Sequence, residues 1–248
     1  MPDPHPFKGI GLRTLSAVVL AAAAIAATLA GGASFLLLVG LGVALMAREW
    51  PELCLAGAGA RPLWRPRPPL AAVGFVALAV LALGLLVAGR LREAIALAIA
   101  GALVVAAFAQ GLSARDRLLL GLGLPYIIVP AAALLFIAAD RQGSLTVLWL
   151  FAVVWTTDIG GYLAGKSIGG PKLAPAISPN KTWAGAIGGT LLAAATAAGF
   201  ALVVRSADAL HLALTGGILS MVAQAGDLLE SAVKRHFAVK DSGSIIPG

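Results

Sequence analysis

The chain holds one cysteine, Cys54, so neither an intramolecular disulfide nor a cysteine-based zinc site is open to it, and the residue reads as a small apolar filler. Charge is scarce too. Only 12% of the residues are charged against 60% hydrophobic, with a mean hydropathy of +0.95, which excludes an ordinary soluble domain and fits a polytopic membrane protein. No short period of the solenoid kind runs through the sequence, and no segment has the composition of a separate soluble domain. Paired broken spans in two related halves, the usual mark of a transporter, are absent as well. Nothing in the pattern suggests nucleic acid.

What the chain has is apolar length. A hydrocarbon slab about 30 Å thick needs roughly 20 mostly apolar helical residues per crossing. Eight such stretches lie near 14–31, 33–47, 70–88, 93–110, 118–139, 144–165, 183–204 and 208–226, and predict an all-α polytopic fold. The opening MPDPHPFKGIGLR has the charge of a signal peptide, but no convincing cleavage site follows and further spans do, so a retained first span is expected. Residues 1–139 read as a transmembrane scaffold rich in Ala and Gly, suited to close helix packing. Within it, RPLWRPRPP from Arg61 to Pro69 reads as a stiff interfacial loop with Trp64 at headgroup depth. Residues 140–248 carry the polar motifs and form the expected catalytic region with cytoplasmic loops.

Orientation follows from Lys and Arg, which stay on the cytoplasmic side in short loops. With the N-terminus inside, 14 of the 18 fall there: Lys8, Arg13, Arg48, Arg61, Arg65, Arg67, Arg115, Arg117, Lys166, Lys172, Lys181, Lys234, Arg235 and Lys240. Arg90, Arg92, Arg141 and Arg205 are left for the other face. The net charge of +7 is thus mostly one-sided, which suits anionic lipid headgroups and soluble polyphosphates.

Chemistry begins at Asp158, an acid in the apolar run LTVLWLFAVVWTTDIGGYLAG. At the bilayer centre an acid costs at least ~2.5 kcal/mol, so it calls for a partner or a wet cavity. A buried interhelical pair with a lysine is the structural alternative to a functional role. Gly160–Ser167, GGYLAGKS, satisfies the pattern GxxxxGK[ST], but a phosphate-binding loop needs a preceding strand and a following helix, and here a membrane span ends. Lys166 remains a point charge that a phosphate could meet.

The segment KLAPAISPNKTWAGAIGG, Lys172–Gly189, reads as a Pro-broken loop between spans. Ser178, Asn180, Lys181 and Thr182 offer hydroxyl, amide and ammonium groups there, joined by Lys172, as an anion clamp. Asn180 or Ser178 would alternatively cap the span that starts near Trp183. Asp227, Glu230, Ser231 and Lys234 are spaced i, i+3, i+4 and i+7, on one face of a helix that extends the eighth span into the cytoplasm. Its carboxylates suit magnesium, usually held by one or two carboxylates plus substrate phosphates. The alternative is a solvated, salt-bridged helix end.

SAVKRHFAVKDSGSIIPG, Ser231–Gly248, resembles the first part of the phosphatidate cytidylyltransferase signature S-x-x-K-R-x-x-x-x-K-D-x-G-x-x-I-P-G, and Asp158–Gly189 with its ISPNKTW core resembles that family's second block. The likeness covers about the last 90 residues specifically. It implies that CTP and phosphatidic acid give CDP-diacylglycerol and pyrophosphate, with Mg2+ alone or beside a second cation, at the cytoplasmic face of a bacterial inner membrane. It further implies Asp227 as the main metal ligand, with Glu230 and Asp241 near it. Ser178, Asn180, Lys181, Thr182, Lys234, Arg235 and Lys240 would hold phosphates, with Lys172 and Ser231 on the same substrate side, and Asp158 would line the polar cavity. A homodimer is expected on the resemblance alone. The family pattern continues as H-G-G-x-x-D-R-x-D and a ninth span, so a chain ending at Gly248 is expected to be truncated and impaired. A CTP-dependent lipid kinase and a transporter of an anionic solute are the competing readings.

Overall fold

The computed structural model describes residues 6–56, 69–204 and 208–239, with side chains from residue 14 onward. Outside it lie most of the Arg61–Pro69 loop, Arg205, and the segment holding Lys240 and Asp241. Eight helices are described: α1 (Pro6–Ala30), α2 (Gly32–Ala56), α3 (Leu70–Val87), α4 (Leu91–Phe108), α5 (Ala114–Ala138), α6 (Gly143–Ser167), α7 (Trp183–Val203) and α8 (Ala209–His236). Two short strands, β1 (Lys172–Ala174) and β2 (Ser178–Thr182), separate α6 from α7. The eight apolar stretches thus all fold as helices.

Helices α2 to α8 are each long and apolar enough to cross a membrane, whereas the described apolar part of α1, Thr14–Ala30, is shorter. Large apolar side chains point outward along them, Leu202 at 85% exposure and Phe136 at 73%, a surface that only lipid tails satisfy. In such a solvent each backbone polar group needs an internal partner, which is why the spans are helical. The molecule is a polytopic all-α membrane protein.

The contacts divide the chain into two compact units. In the first, built on α1 to α5, the Trp50 indole lies against Gly123 of α5, donates to the Leu119 carbonyl at 3.2 Å and tilts over the Tyr126 ring at 5.1 Å. Ser113 caps α5 by accepting from the Asp116 amide at 3.2 Å. Arg117 donates back to the Ala106 and Ala107 carbonyls at the end of α4, at 2.8 and 3.3 Å, filling acceptors the helix leaves open.

The second unit runs from Leu145 to His236. There α6 and α7 approach glycine on glycine. A Cβ on Gly185 would stand 2.7 Å from the Gly161 carbonyl oxygen, and one on Gly189 would stand 2.6 Å from that of Thr157. Small residues let membrane helices touch at backbone distance, where packing and polar contacts replace a hydrophobic driving force. Helices α7 and α8 pack around Val153, Ala193 and Ala197, with Gly216 fitted against the Ala197 methyl. Among these apolar contacts runs a polar thread: Thr157 donates to the Val153 carbonyl at 2.8 Å and stands 2.9 Å from Ser220 Oγ, both side chains buried.

Candidate active site

The segment expected as an irregular loop is a β-hairpin. Strand β1 pairs antiparallel with β2 in the register Lys172 to Thr182 and Ala174 to Ser178, with an irregularity between them. The Ile177 amide donates to the Ala174 carbonyl at 3.1 Å, closing a turn with Pro175 at its second position, where a fixed φ is favoured. The chain leaves α6 through Gly169 and Gly170, at φ of +68° and +91°, a backbone region where a side chain would be strained. The Trp183 amide donates to the Pro171 carbonyl at 3.1 Å and seats the hairpin on the start of α7.

The cap of α7 is Thr182, whose hydroxyl oxygen accepts from the Gly185 amide at 3.1 Å. This corrects the alternative that gave the cap to Ser178 or Asn180. The helix starts at Trp183, and the capping side chain belongs to the residue immediately before it.

Between the hairpin, α6, α7 and α8 lies a cavity of about 570 Å³, within the range of small-molecule sites. Asp158, Asn180, Lys181, Thr182 and Asp227 all line it. So does Lys166, whose ammonium stands 3.2 Å from the Tyr162 hydroxyl and 5.4 Å from that ring's centre. The two halves of the sequence pattern meet directly, because Lys181 of the hairpin forms an ion pair with Asp227 of α8. Gly161, Gly165 and Gly185 bring backbone to the cavity wall.

Other expected residues lie elsewhere. Glu230 does not line the cavity; its carboxylate is 2.7 Å from Lys234, one turn on, so the salt-bridged helix end is present at that pair. Arg235 reaches toward the Ile177 carbonyl at 3.4 Å, a long contact between α8 and the hairpin turn. Lys172, Ser178 and Ser231 are not among the lining residues, and Lys240 and Asp241 fall outside the described residues. Thr157, Tyr162 and Gln224 line the cavity without having been singled out from the sequence. Tyr162 is one turn from both Asp158 and Lys166, and Gln224 is one turn from Asp227, so helical spacing from a marked acid was the signal that pointed to them.

The donors fit a hard cation of a particular kind. Asp158 and Asp227 offer carboxylate oxygens and Asn180 an amide oxygen, all on one cavity. No group of three or more His, Cys, Asp or Glu residues suited to a metal exists among the described residues. Magnesium is usually held by one or two carboxylates with the rest of its shell from substrate and water, and is a cation that Asp158 and Asp227 could hold.

Depth completes the geometry. Asp227 is 18 residues beyond Ala209, about 27 Å along the axis, close to the ~30 Å of a hydrocarbon core. Asp158 is nine residues before the end of α6, ~14 Å below it. Asp227 is likewise nine residues before the end of α8, so both acids stand about 14 Å from the helix ends that adjoin the hairpin.

Residues 11–248 match the model of the Cytidylyltransferase family. A "Phosphatidate cytidylyltransferase" of Brucella suis biovar 1 (strain 1330) is 47% identical over 127 residues, covering 51% of this chain and 47% of the relative. Relatives of the same name from Bacillus subtilis (strain 168), 46% identical over 44% of this chain and 41% of their own, and Rickettsia prowazekii (strain Madrid E), 36% identical over 51% and 59%, agree. The chain spans about half the length of the curated relatives it matches. A match across all but the first ten residues, on a membrane chain whose acids and bases converge on one cavity, places it: the chain belongs to the cytidylyltransferase family.

Proposed function

We propose that this protein transfers the cytidylyl group of CTP to phosphatidic acid, giving CDP-diacylglycerol and pyrophosphate, at the cytoplasmic face of a bacterial inner membrane. The observation that carries the reading is the Lys181–Asp227 pair, which joins the hairpin to α8 at the wall of one cavity. The names of the relatives supply the substrates. One-sided Lys and Arg support the cytoplasmic orientation. A homodimer belongs to the proposal as well.

In the reaction a phosphate oxygen of the lipid attacks the α-phosphorus of CTP, and the bond from that phosphorus to the bridging oxygen breaks as pyrophosphate leaves. The ammonium groups of Lys181 and Lys166 bind phosphate oxygens and stabilise charge that develops on the leaving group. Lys234, Arg235 and Lys240 would supply further cationic groups to the phosphates. Asn180 and Thr182 donate to non-bridging oxygens and orient the polyphosphate. Asp227 and Asp158 would hold magnesium, with Glu230 and Asp241 as further candidate ligands, and a bound magnesium would screen the phosphate charges.

The test feeds phosphatidic acid and CTP, labelled at the α- or the γ-phosphate, to membranes from cells expressing the complete open reading frame. Magnesium-dependent α-label in lipid is the expected result. Lipid carrying γ-label would mean a CTP-dependent lipid kinase, and label that crosses the membrane without entering lipid would mean a transporter.

A further inference from the structure

On the α8 wall of the cavity, one turn before Asp227, stands Gln224. Its amide nitrogen lies 3.0 Å from Thr190 Oγ1 and 3.3 Å from both the Ala186 carbonyl and Ser220 Oγ. A hydroxyl can meet either end of an amide, but a backbone carbonyl only accepts, so the Ala186 contact fixes which end is nitrogen. Both amide protons are then committed to α7 and α8. Ser220, fully buried, is held in turn at 2.9 Å from Thr157 of α6, so the anchor belongs to three helices.

The other end of the amide is different. Among the described residues no donor reaches Gln224 Oε1. The only buried side-chain polar atoms without a partner there are Glu52 Oε1 and Trp149 Nε1, so Gln224 Oε1 is unpartnered and accessible, at the cavity surface. It is an oriented acceptor that cannot donate. Phosphate oxygens at neutral pH are acceptors too and gain nothing from it. Its complement is an N–H or O–H donor, of which a nucleoside carries several at fixed positions and a phosphatidate headgroup only the P–O–H of its monoanion.

Resting on the cytidylyl-transfer reading, we propose that Gln224 is a specificity-determining residue whose Oε1 accepts a hydrogen bond from the nucleoside of the nucleotide, from either the cytosine amine or a ribose hydroxyl. A fixed acceptor rejects an analogue without the donor, because its own oxygen is left unpaired in the complex.

The experiment compares kcat/KM for CTP with UTP, which presents a carbonyl in place of the amine, and with the 2′- and 3′-deoxy analogues of CTP. The wild type is expected to discriminate against at least one of them. Gln224→Met should narrow that gap by about tenfold, the effect of one such hydrogen bond, and the analogue whose penalty vanishes identifies the donor. Unchanged ratios in Gln224→Met, or a wild type indifferent to all three analogues, would overturn the assignment. Weaker binding of Mn2+ by Gln224→Met without nucleotide would overturn it too, making the oxygen a cation ligand. If Gln224→Met does not accumulate as a monodisperse protein in detergent, Thr190→Val loosens the anchor and leaves Oε1 in place; its selectivity should fall by a smaller factor, and no change refutes the proposal. Wild-type membranes that do not use CTP would remove the reading of function as well, whereas active membranes with intact selectivity in Gln224→Met remove this assignment alone.

Discussion

An ammonium bound to a carboxylate has to change partners when a polyphosphate arrives. Lys181 neutralises Asp227, and a phosphate that takes Lys181 leaves the carboxylate available to a cation. Nucleotide and metal should then assist one another reciprocally. Lys181→Met is expected to strengthen Mn2+ binding without nucleotide, read by electron paramagnetic resonance, while raising the KM for CTP about tenfold or more, as loss of a charged hydrogen bond would. Arg61→Ala serves as the control for general surface charge, and an equal effect there would argue against a local clamp. Asp227→Asn should lower nucleotidyl transfer by more than about a hundredfold, in line with removal of charge stabilisation at a reacting phosphate, with membrane insertion unchanged. Asp158 was legible in the sequence because charge inside an apolar segment is costly and therefore conspicuous, Lys181 because it sits in a polar cluster between spans, and Asp227 because it opens a helical face of acids and bases. Gln224 was not, since a neutral amide in a span reads as helix packing. Glu230 shows the limit of spacing: three residues on is about 60° around the helix to one side of Asp227, and three residues back is about 60° to the other. The cavity lies on the Gln224 side.

Among the elements, the spans were legible and the hairpin was not. A helix that must cross lipid announces itself by length, but strands of three and five residues are too short to show an alternating pattern. Pro175 and Pro179 also suggested broken structure. One sits in the turn, and the other is tolerated in a two-stranded sheet, where each strand has a free edge. The contact of α6 with α7 carries its own prediction. Gly189→Ala forces a methyl toward the Thr157 carbonyl and should cost about 1–3 kcal/mol, the usual range for overpacking. Gly199→Ala, whose methyl meets nothing within 4 Å, should be neutral or stabilising by up to ~1 kcal/mol. Thermal unfolding in detergent distinguishes the two, and equal shifts would mean that the close approach does not set stability.

For the molecule as a whole, orientation is the testable property. Cys54 is fully buried, which makes the natural chain a quiet background for thiol labelling. Lys172→Cys should react with a membrane-impermeant maleimide in inverted vesicles and Arg141→Cys in right-side-out spheroplasts; the opposite result would reverse the topology. Helix α8 has a further consequence. Its 28 residues span ~42 Å, more than the ~30 Å of hydrocarbon, so one rigid element that carries Asp227 is long enough to run from the tails of the lipids into the aqueous layer. If the proposed transfer holds, a catalyst built around such a mast would meet one reactant by diffusion in two dimensions and the other in three. Its velocity should follow the mole fraction of phosphatidic acid in the surface, falling as inert detergent dilutes the lipid at constant bulk concentration.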